Sequence, residues 1–96
     1  GENVYPAEVE SVLLSHPSVV EAAVIGIGDA EWGQRIVAVV RRDGEVDATA
    51  LEQHCRQALA GYKVPREYQF VTGTLPRTAS GKVKRAELRA RLDAAR

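Results

Sequence analysis

Residues 19–27 read Val-Val-Glu-Ala-Ala-Val-Ile-Gly-Ile, an apolar run broken by one charge, Glu21. A half-buried strand alternates polar and apolar positions, whereas this run offers no wet side. It therefore reads as a strand covered on both faces. Gln34 to Arg42 repeats the pattern: Ile36, Val37, Ala38, Val39 and Val40 form its core, and Arg35, Arg41 and Arg42 mark its wetter ends. Gly28 to Gly33 reads as the loop between them, so the pair is expected as an antiparallel hairpin closed by more than a tight turn.

Two covered faces require layers on both sides, and the rest of the chain supplies helices. Pro6 suits the first turn of a helix ending before Pro17, with Val9, Val12, Leu13 and His16 on one face. Asp47 is placed to cap a second helix running to about Ala60, with Leu51, Cys55 and Leu59 inward and Gly61 just past its end. Tyr68, Phe70 and Val71 suggest a third strand, and Gly73 to Gly81 a loop. Lys84 or Arg85 opens a final helix anchored by Leu88 and Leu92. The expectation is an α+β fold: a small, roughly three-stranded sheet packed by about three helices, with residues 1–96 as a single domain.

Composition excludes more than it suggests. Net charge is zero, so no global nucleic-acid or membrane footprint is present, and no apolar run approaches a membrane span. The distribution is uneven: residues 77–96 hold seven Lys/Arg against two acids, and residues 1–76 hold six against eleven. Nucleic acid is a poor reading of that basic tail, because five aromatic residues in the whole chain leave few bases to stack. A local electropositive site facing an anionic ligand accounts for it. One cysteine cannot build a disulfide framework, which fits a reducing cytoplasm; Cys55 reads as a small core residue. His16 and His54 lack Cys or carboxylate partners at ligand spacing, so no metal site is expected.

The segment Pro76 to Arg85, Pro-Arg-Thr-Ala-Ser-Gly-Lys-Val-Lys-Arg, carries the basic centre of the chain. A compact ammonium on a flexible stem, Lys82, follows a Ser-Gly pair in a loop able to approach a phosphate or carboxylate closely. A nucleotide P-loop also closes on Gly-Lys. Here Pro76 stands where its first glycine belongs, and Val83 replaces the hydroxyl that would hold magnesium, so a P-loop is rejected. A solvated basic loop remains the plain alternative.

The segment resembles the Pro-x-x-x-x-Gly-Lys signature of the adenylate-forming enzymes: acyl-CoA synthetases, peptide-synthetase adenylation domains and luciferases. Residues 1–10, Gly-Glu-Asn-Val-Tyr-Pro-Ala-Glu-Val-Glu, are similar to that family's Gly-x-x-[Ile/Val]-x-Pro-x-Glu-[Ile/Val]-Glu. Between them Pro17-Ser18-Val19, Ala22 to Gly26, Asp29, Gly33-Gln34 and Tyr62-Lys63-Val64-Pro65 follow in the family's order. The resemblance covers essentially the whole chain. It implies the C-terminal domain of an acid–thiol ligase that converts carboxylic acid, ATP and coenzyme A to acyl-CoA, AMP and pyrophosphate through an acyl-adenylate. Lys82 is the implied catalytic residue of adenylation, supported by Pro76, Ser80 and Gly81 in its loop. Gly1, Glu2 and Asn3 are the implied lining of the coenzyme A channel, with Gly1 alone matched to the motif, and Arg56 is a candidate for a coenzyme A phosphate.

The same resemblance implies a large N-terminal domain as partner, holding ATP, Mg2+ and the acid. That domain and the hinge, an Asp or Lys in Arg-x-Asp-x-x-Lys, lie outside the chain, which begins at the glycine following it. The fragment alone is therefore expected to be inactive. Tyr5-Pro6-Ala7-Glu8 favours acyl-CoA synthetases; peptide-synthetase adenylation domains, which act on a carrier protein, usually have Glu-Leu-Gly-Glu there. A third reading makes the domain a partner of a lysine acetyltransferase, because acetylation of the motif lysine silences related synthetases. Medium- to long-chain fatty acids are the default substrate, with aryl and malonate-like acids open. Trp32 is a candidate for adenine contact or for covering the sheet end. Lys63 receives no chemistry, Lys84 and Arg85 read as solvated or nucleotide-steering, and Glu8 and Glu10 as helix-dipole acids.

Overall fold

The computed structural model describes residues 4–29 and 33–95. Helix α1 spans Pro6–Leu14, strands β1 and β2 span Val19–Asp29 and Gly33–Arg42, and helix α2 spans Ala48–Arg56. A 3-10 turn at Gly61–Lys63 leads to β3, Glu67–Val71, and helix α3 closes the order at Arg85–Ala95. The expected α+β class and three-stranded sheet are present. The sheet order is β1-β2-β3, antiparallel between the first two and parallel between β2 and β3. The parallel pairing requires a crossover, and α2 provides it.

Both faces of the sheet are covered, which explains the uninterrupted apolar runs. On one face Ala22, Val24, Ala38 and Val40 meet Val9 and Leu13 of α1 and Leu51 and Cys55 of α2. On the other Ala23, Ile25, Ile27, Val37 and Val39 meet Leu88 of α3 and Leu75 of the segment after β3. Leu13 and Leu51 are fully buried, and each such side chain contributes about 1.5–3 kcal/mol of transfer free energy. A register shift between Val19 and Glu21 inserts Val20 as an extra residue. It puts Val19 into the first core and turns Glu21 toward the second face.

Several boundaries differ from the sequence reading. Glycine was expected to end the strands, yet the ladder continues through Gly28 paired with Gln34 and Asp29 paired with Gly33, so only residues 30–32 separate them. A ladder needs backbone groups rather than side chains, and glycine supplies those. Helix α1 ends at Leu14, leaving His16 past its end; its Nδ1 accepts the Ser18 N–H at 3.0 Å. Asp47 caps α2 as expected, accepting the Ala50 N–H at 2.8 Å. The helix stops at Arg56 rather than near Ala60, and the Ala58 and Leu59 N–H groups both bond Cys55 O, a tightened end that still buries Leu59. Gly61 opens the 3-10 turn without a positive φ, so it is not the helix-capping glycine expected.

Strand β1 lies at the edge of the sheet, and that edge is blocked by side chains. Glu10 Oε2 accepts the Val24 N–H at 2.8 Å, and Arg89 Nε donates to Gly26 O at 2.8 Å. Glu10 also forms a two-pronged ion pair with Arg85, so α1, β1 and α3 are tied at one point. Glu10 is thus a tertiary link rather than a dipole acid. Among the described residues no helix is long and apolar enough to cross a membrane.

Candidate active site

After β3 the chain passes Leu75, buried beneath the sheet, and turns out into a hairpin that spans Pro76 to Lys84. Lys84 N–H donates to Pro76 O at 2.9 Å, Arg77 bridges Val83, and Thr78 N–H donates to Lys82 O at 2.7 Å. The Gly81 N–H returns to Thr78 O at 2.9 Å. This is a three-residue hairpin loop closed by a left-handed residue, and Gly81 holds that position with φ +91°. A β-carbon on Gly81 would meet nothing within 4 Å. The glycine is therefore explained by backbone conformation, not by crowding inside the domain.

Side chains reinforce the turn. Thr78 Oγ1 lies 3.0 Å from Ser80 Oγ and accepts the Lys82 N–H at 3.1 Å. The side chain of Lys82 is exposed at the far limb of this hairpin, and no described residue accepts a hydrogen bond or ion pair from its ammonium. Pro76 stands at the root of the hairpin, and Ser80, Gly81 and Lys82 lie around its turn.

What fixes the hairpin to the domain is Glu21. Its carboxylate, only 8% exposed, accepts from Arg41 Nε at 2.7 Å and from the Leu75 N–H at 3.3 Å. It also accepts from Arg77 Nε at 3.1 Å and Nη2 at 2.9 Å, and Arg77 Nη1 continues to Gly81 O at 2.9 Å. Burial alone would raise the pKa of Glu21, but the bonds from Arg41, Arg77 and Leu75 together outweigh it and hold the carboxyl below its ordinary value. A charged Glu21 thus reaches the residue before Lys82 through one guanidinium. The sequence flagged Glu21 only as a flaw in an apolar run. A carboxylate in a strand buried on both faces must be paired, and that rule points to an arginine nearby.

The remaining candidates lie elsewhere. Arg56 projects from α2 on the opposite side of the sheet, exposed and paired with Glu52 at 3.5 Å, beside a groove of about 390 Å³ lined by Gly61, Val64, Pro65 and Arg66. It does not share a site with Lys82. Gly1, Glu2, Asn3 and Trp32 lie outside the described residues. Lys63 bonds Glu8 Oε1 at 2.8 Å, which raises the Lys63 pKa, so Glu8 and Lys63 form a strut between α1 and the 3-10 turn. Lys84 is exposed, while Arg85 is committed to Glu10. His54 is a structural group: its Nε2 lies 2.9 Å from Val12 O and 2.8 Å from Ser15 Oγ, at the end of α1. Burial pushes the Cys55 thiol up, as suits a core residue. Among the described residues no three His, Cys, Asp or Glu converge as a metal site.

The domain as a whole is similar to known proteins. Residues 8–82 match the model of the AMP-binding enzyme C-terminal domain. The chain belongs to that family. This AMP-binding C-terminal domain is 51% identical over 89 residues to a 2-succinylbenzoate–CoA ligase of Bacillus mycoides, covering 93% of the chain and 18% of the relative. It superposes on a Mycobacterium tuberculosis fatty acyl CoA synthetase with TM-score 0.91 and 42% identity, over 99% of the chain and 19% of that structure. The o-succinylbenzoate CoA synthetase of Bacillus subtilis, in complex with its acyl-adenylate intermediate, gives TM-score 0.86 and 48% identity over 92% and 18%. The AMP-binding C-terminal domain thus spans about a fifth of the length of these relatives. The matched family region ends on Lys82 and contains both Glu21 and the hairpin loop.

Proposed function

We propose that this domain is the C-terminal catalytic part of an ATP-dependent acid–thiol ligase and that Lys82 serves its adenylation step. The observation that carries the reading is an exposed ammonium for which no described residue is an acceptor, presented by a hairpin tied to a buried carboxylate. A cation so placed is disposed to meet negative charge on another surface. The implied partner is a large domain of the same polypeptide that binds ATP and the acid.

In the first step a carboxylate oxygen of the acid attacks the α-phosphorus of ATP. An O–P bond forms, the bond to the β-phosphate oxygen breaks, and pyrophosphate leaves. Lys82 contributes by placing positive charge between the carboxylate and phosphate oxygens as that charge is redistributed, and by holding the two reactants in line. Magnesium, which accompanies ATP, neutralises phosphate charge; its ligands belong to the large domain in this reading. In the second step a thiol sulfur attacks the acyl carbonyl, the thiol proton is released, and the C–O bond to AMP breaks. The domain rotates between the steps, withdrawing Lys82 and bringing the Gly1–Asn3 segment to line the coenzyme A channel. Arg56, on the opposite side of the sheet from Lys82, is available to a coenzyme A phosphate in the second arrangement.

Coenzyme A is favoured over a carrier protein as the thiol because the relatives bear the names of CoA ligases. Their acids differ, one named for 2-succinylbenzoate and another for fatty acyl groups, on the same small domain. That contrast supports an acid chosen by the large domain, and it places 2-succinylbenzoate beside fatty acids among the substrates to test. The exposure of Lys82 also leaves it open to a lysine acetyltransferase, which would remove its charge; mass spectrometry of the native protein decides that point. The reading of function is tested by acid-dependent pyrophosphate release from the full-length polypeptide with 2-succinylbenzoate, fatty, aryl and malonate-type acids. Release with at least one is expected; none across the set contradicts the ligase reading. The 96-residue chain alone is expected to release none.

A further inference from the structure

We propose that Glu21 and Arg77 form a positioning relay that sets the pose of Lys82 for adenylation. The inference rests on the ligase reading and deepens it. Three features single out the relay. Glu21 is the one buried charged side chain among the described residues of the core, so it is anchored to the sheet rather than to solvent. It is satisfied from three directions: Arg41 of β2, the Leu75 N–H at the root of the hairpin and Arg77 on its first limb. Arg77 spends its other prong on Gly81 O, the carbonyl bonded directly to the Lys82 nitrogen.

The relay constrains what the backbone leaves free. The hairpin's own bonds fix its internal shape, but they do not fix its tilt against the sheet. Leu75 pins the root by apolar burial, and the Glu21–Arg77–Gly81 chain braces the tip across the first limb. An arginine is suited to this because its planar fork donates to Glu21 and Gly81 O at once, whereas a lysine offers a point charge without a fixed fork. The bulge that inserts Val20 is part of the device, because it turns Glu21 to this face while Val19 stays in the other core. Neither Glu21 nor Arg77 is assigned a contact with substrate. Their effect reaches the reaction through Lys82 alone, so it belongs to adenylation and not to thiol transfer.

The test uses full-length polypeptide and measures both half-reactions separately: acyl-AMP formation from acid and ATP, and acyl transfer from supplied acyl-AMP to coenzyme A. Arg77→Ala is the principal variant, because Arg77 is 41% exposed at its side chain and its loss leaves the apolar cores intact. Acyl-AMP formation is expected to fall about tenfold to a hundredfold in kcat, the scale of a displaced catalytic group, with acyl transfer within twofold of wild type. Arg77→Lys is expected to recover only part of the loss. In a Lys82→Ala background, Arg77→Ala is expected to add nothing further, because the relay acts only through the missing ammonium. Glu21→Gln is expected to repeat the pattern; if it does not fold, Arg77→Ala decides alone. The proposal is overturned if Arg77→Ala leaves acyl-AMP formation within twofold, if both half-reactions fall in parallel, or if its effect multiplies with that of Lys82→Ala. A silent Lys82→Ala would instead remove the role of Lys82 on which the relay rests, and an absence of acyl-AMP formation in the wild type would remove the ligase reading itself.

Discussion

The two faces of the sheet are built on different principles. Among the described residues, cohesion toward α1 and α2 comes from eleven clustered buried residues without a buried charge among them, from Val9 to Val64. Toward α3 the apolar cluster of described residues is smaller, seven residues, and beside it a buried carboxylate gathers two guanidiniums and a backbone N–H. Apolar packing tolerates small displacements, because dispersion contacts are many and non-directional. A paired carboxylate is directional and loses much when a partner moves. The first face therefore holds the domain together, and the second aims a hairpin. The Lys82 ammonium, for which no described residue is an acceptor, stands on the aimed side.

The contrast can be broken most forcefully from the apolar side. Leu51→Ala opens a cavity in the first core and is expected to cost about 3 kcal/mol in urea unfolding of the 96-residue chain. A loss below about 1 kcal/mol would show that the α2 face is not the stabilising one. Glu21→Gln is expected to cost about 2 kcal/mol near neutral pH. Its pH dependence sharpens the comparison. Because the folded pKa of Glu21 is lowered, its stabilisation is present above the unfolded carboxylate value and is lost as pH falls through the folded one. The gap between wild type and Glu21→Gln should therefore close in acid, while the Leu51→Ala gap persists. Equal closure for both would contradict the division of labour.

Gly81→Ala is smaller, about 1 kcal/mol, since an L residue must take the left-handed conformation although space for its β-carbon is free. No loss would mean the turn flips to another form at no cost. Arg56→Ala comes last, within about 0.5 kcal/mol by thermal unfolding, because an exposed i,i+4 pair with Glu52 contributes little.

The sheet was legible because its signal is repetitive: two apolar runs without a wet side admit only covered strands, and Asp47 stands where a cap must. The boundaries were not, because Gly28, Gly33 and Gly61 read as breaks while the ladder and the 3-10 turn use glycine freely. The segment around Lys82 was legible as a loop, and the folded chain makes Pro76 to Lys84 a hairpin. The conformation of its glycine was not legible: Gly81 takes a left-handed φ, which the spacing does not announce. Glu21, Glu10 and Arg77 carried no local pattern. The bonds that tie them to the hairpin and to α3, from Glu21 to Leu75 and Arg77 and from Glu10 to Arg85, span 54 to 75 positions, so only the folded arrangement reveals them.

The most direct test of the account is Lys82→Ala in the full-length polypeptide, with folding checked by thermal unfolding and both half-reactions timed. The predicted result is acyl-AMP formation reduced on the order of a hundredfold or more, with transfer from supplied acyl-AMP to coenzyme A retained. Adenylation near the wild-type rate in a folded variant would contradict it and return Lys82 to the status of a solvated loop lysine.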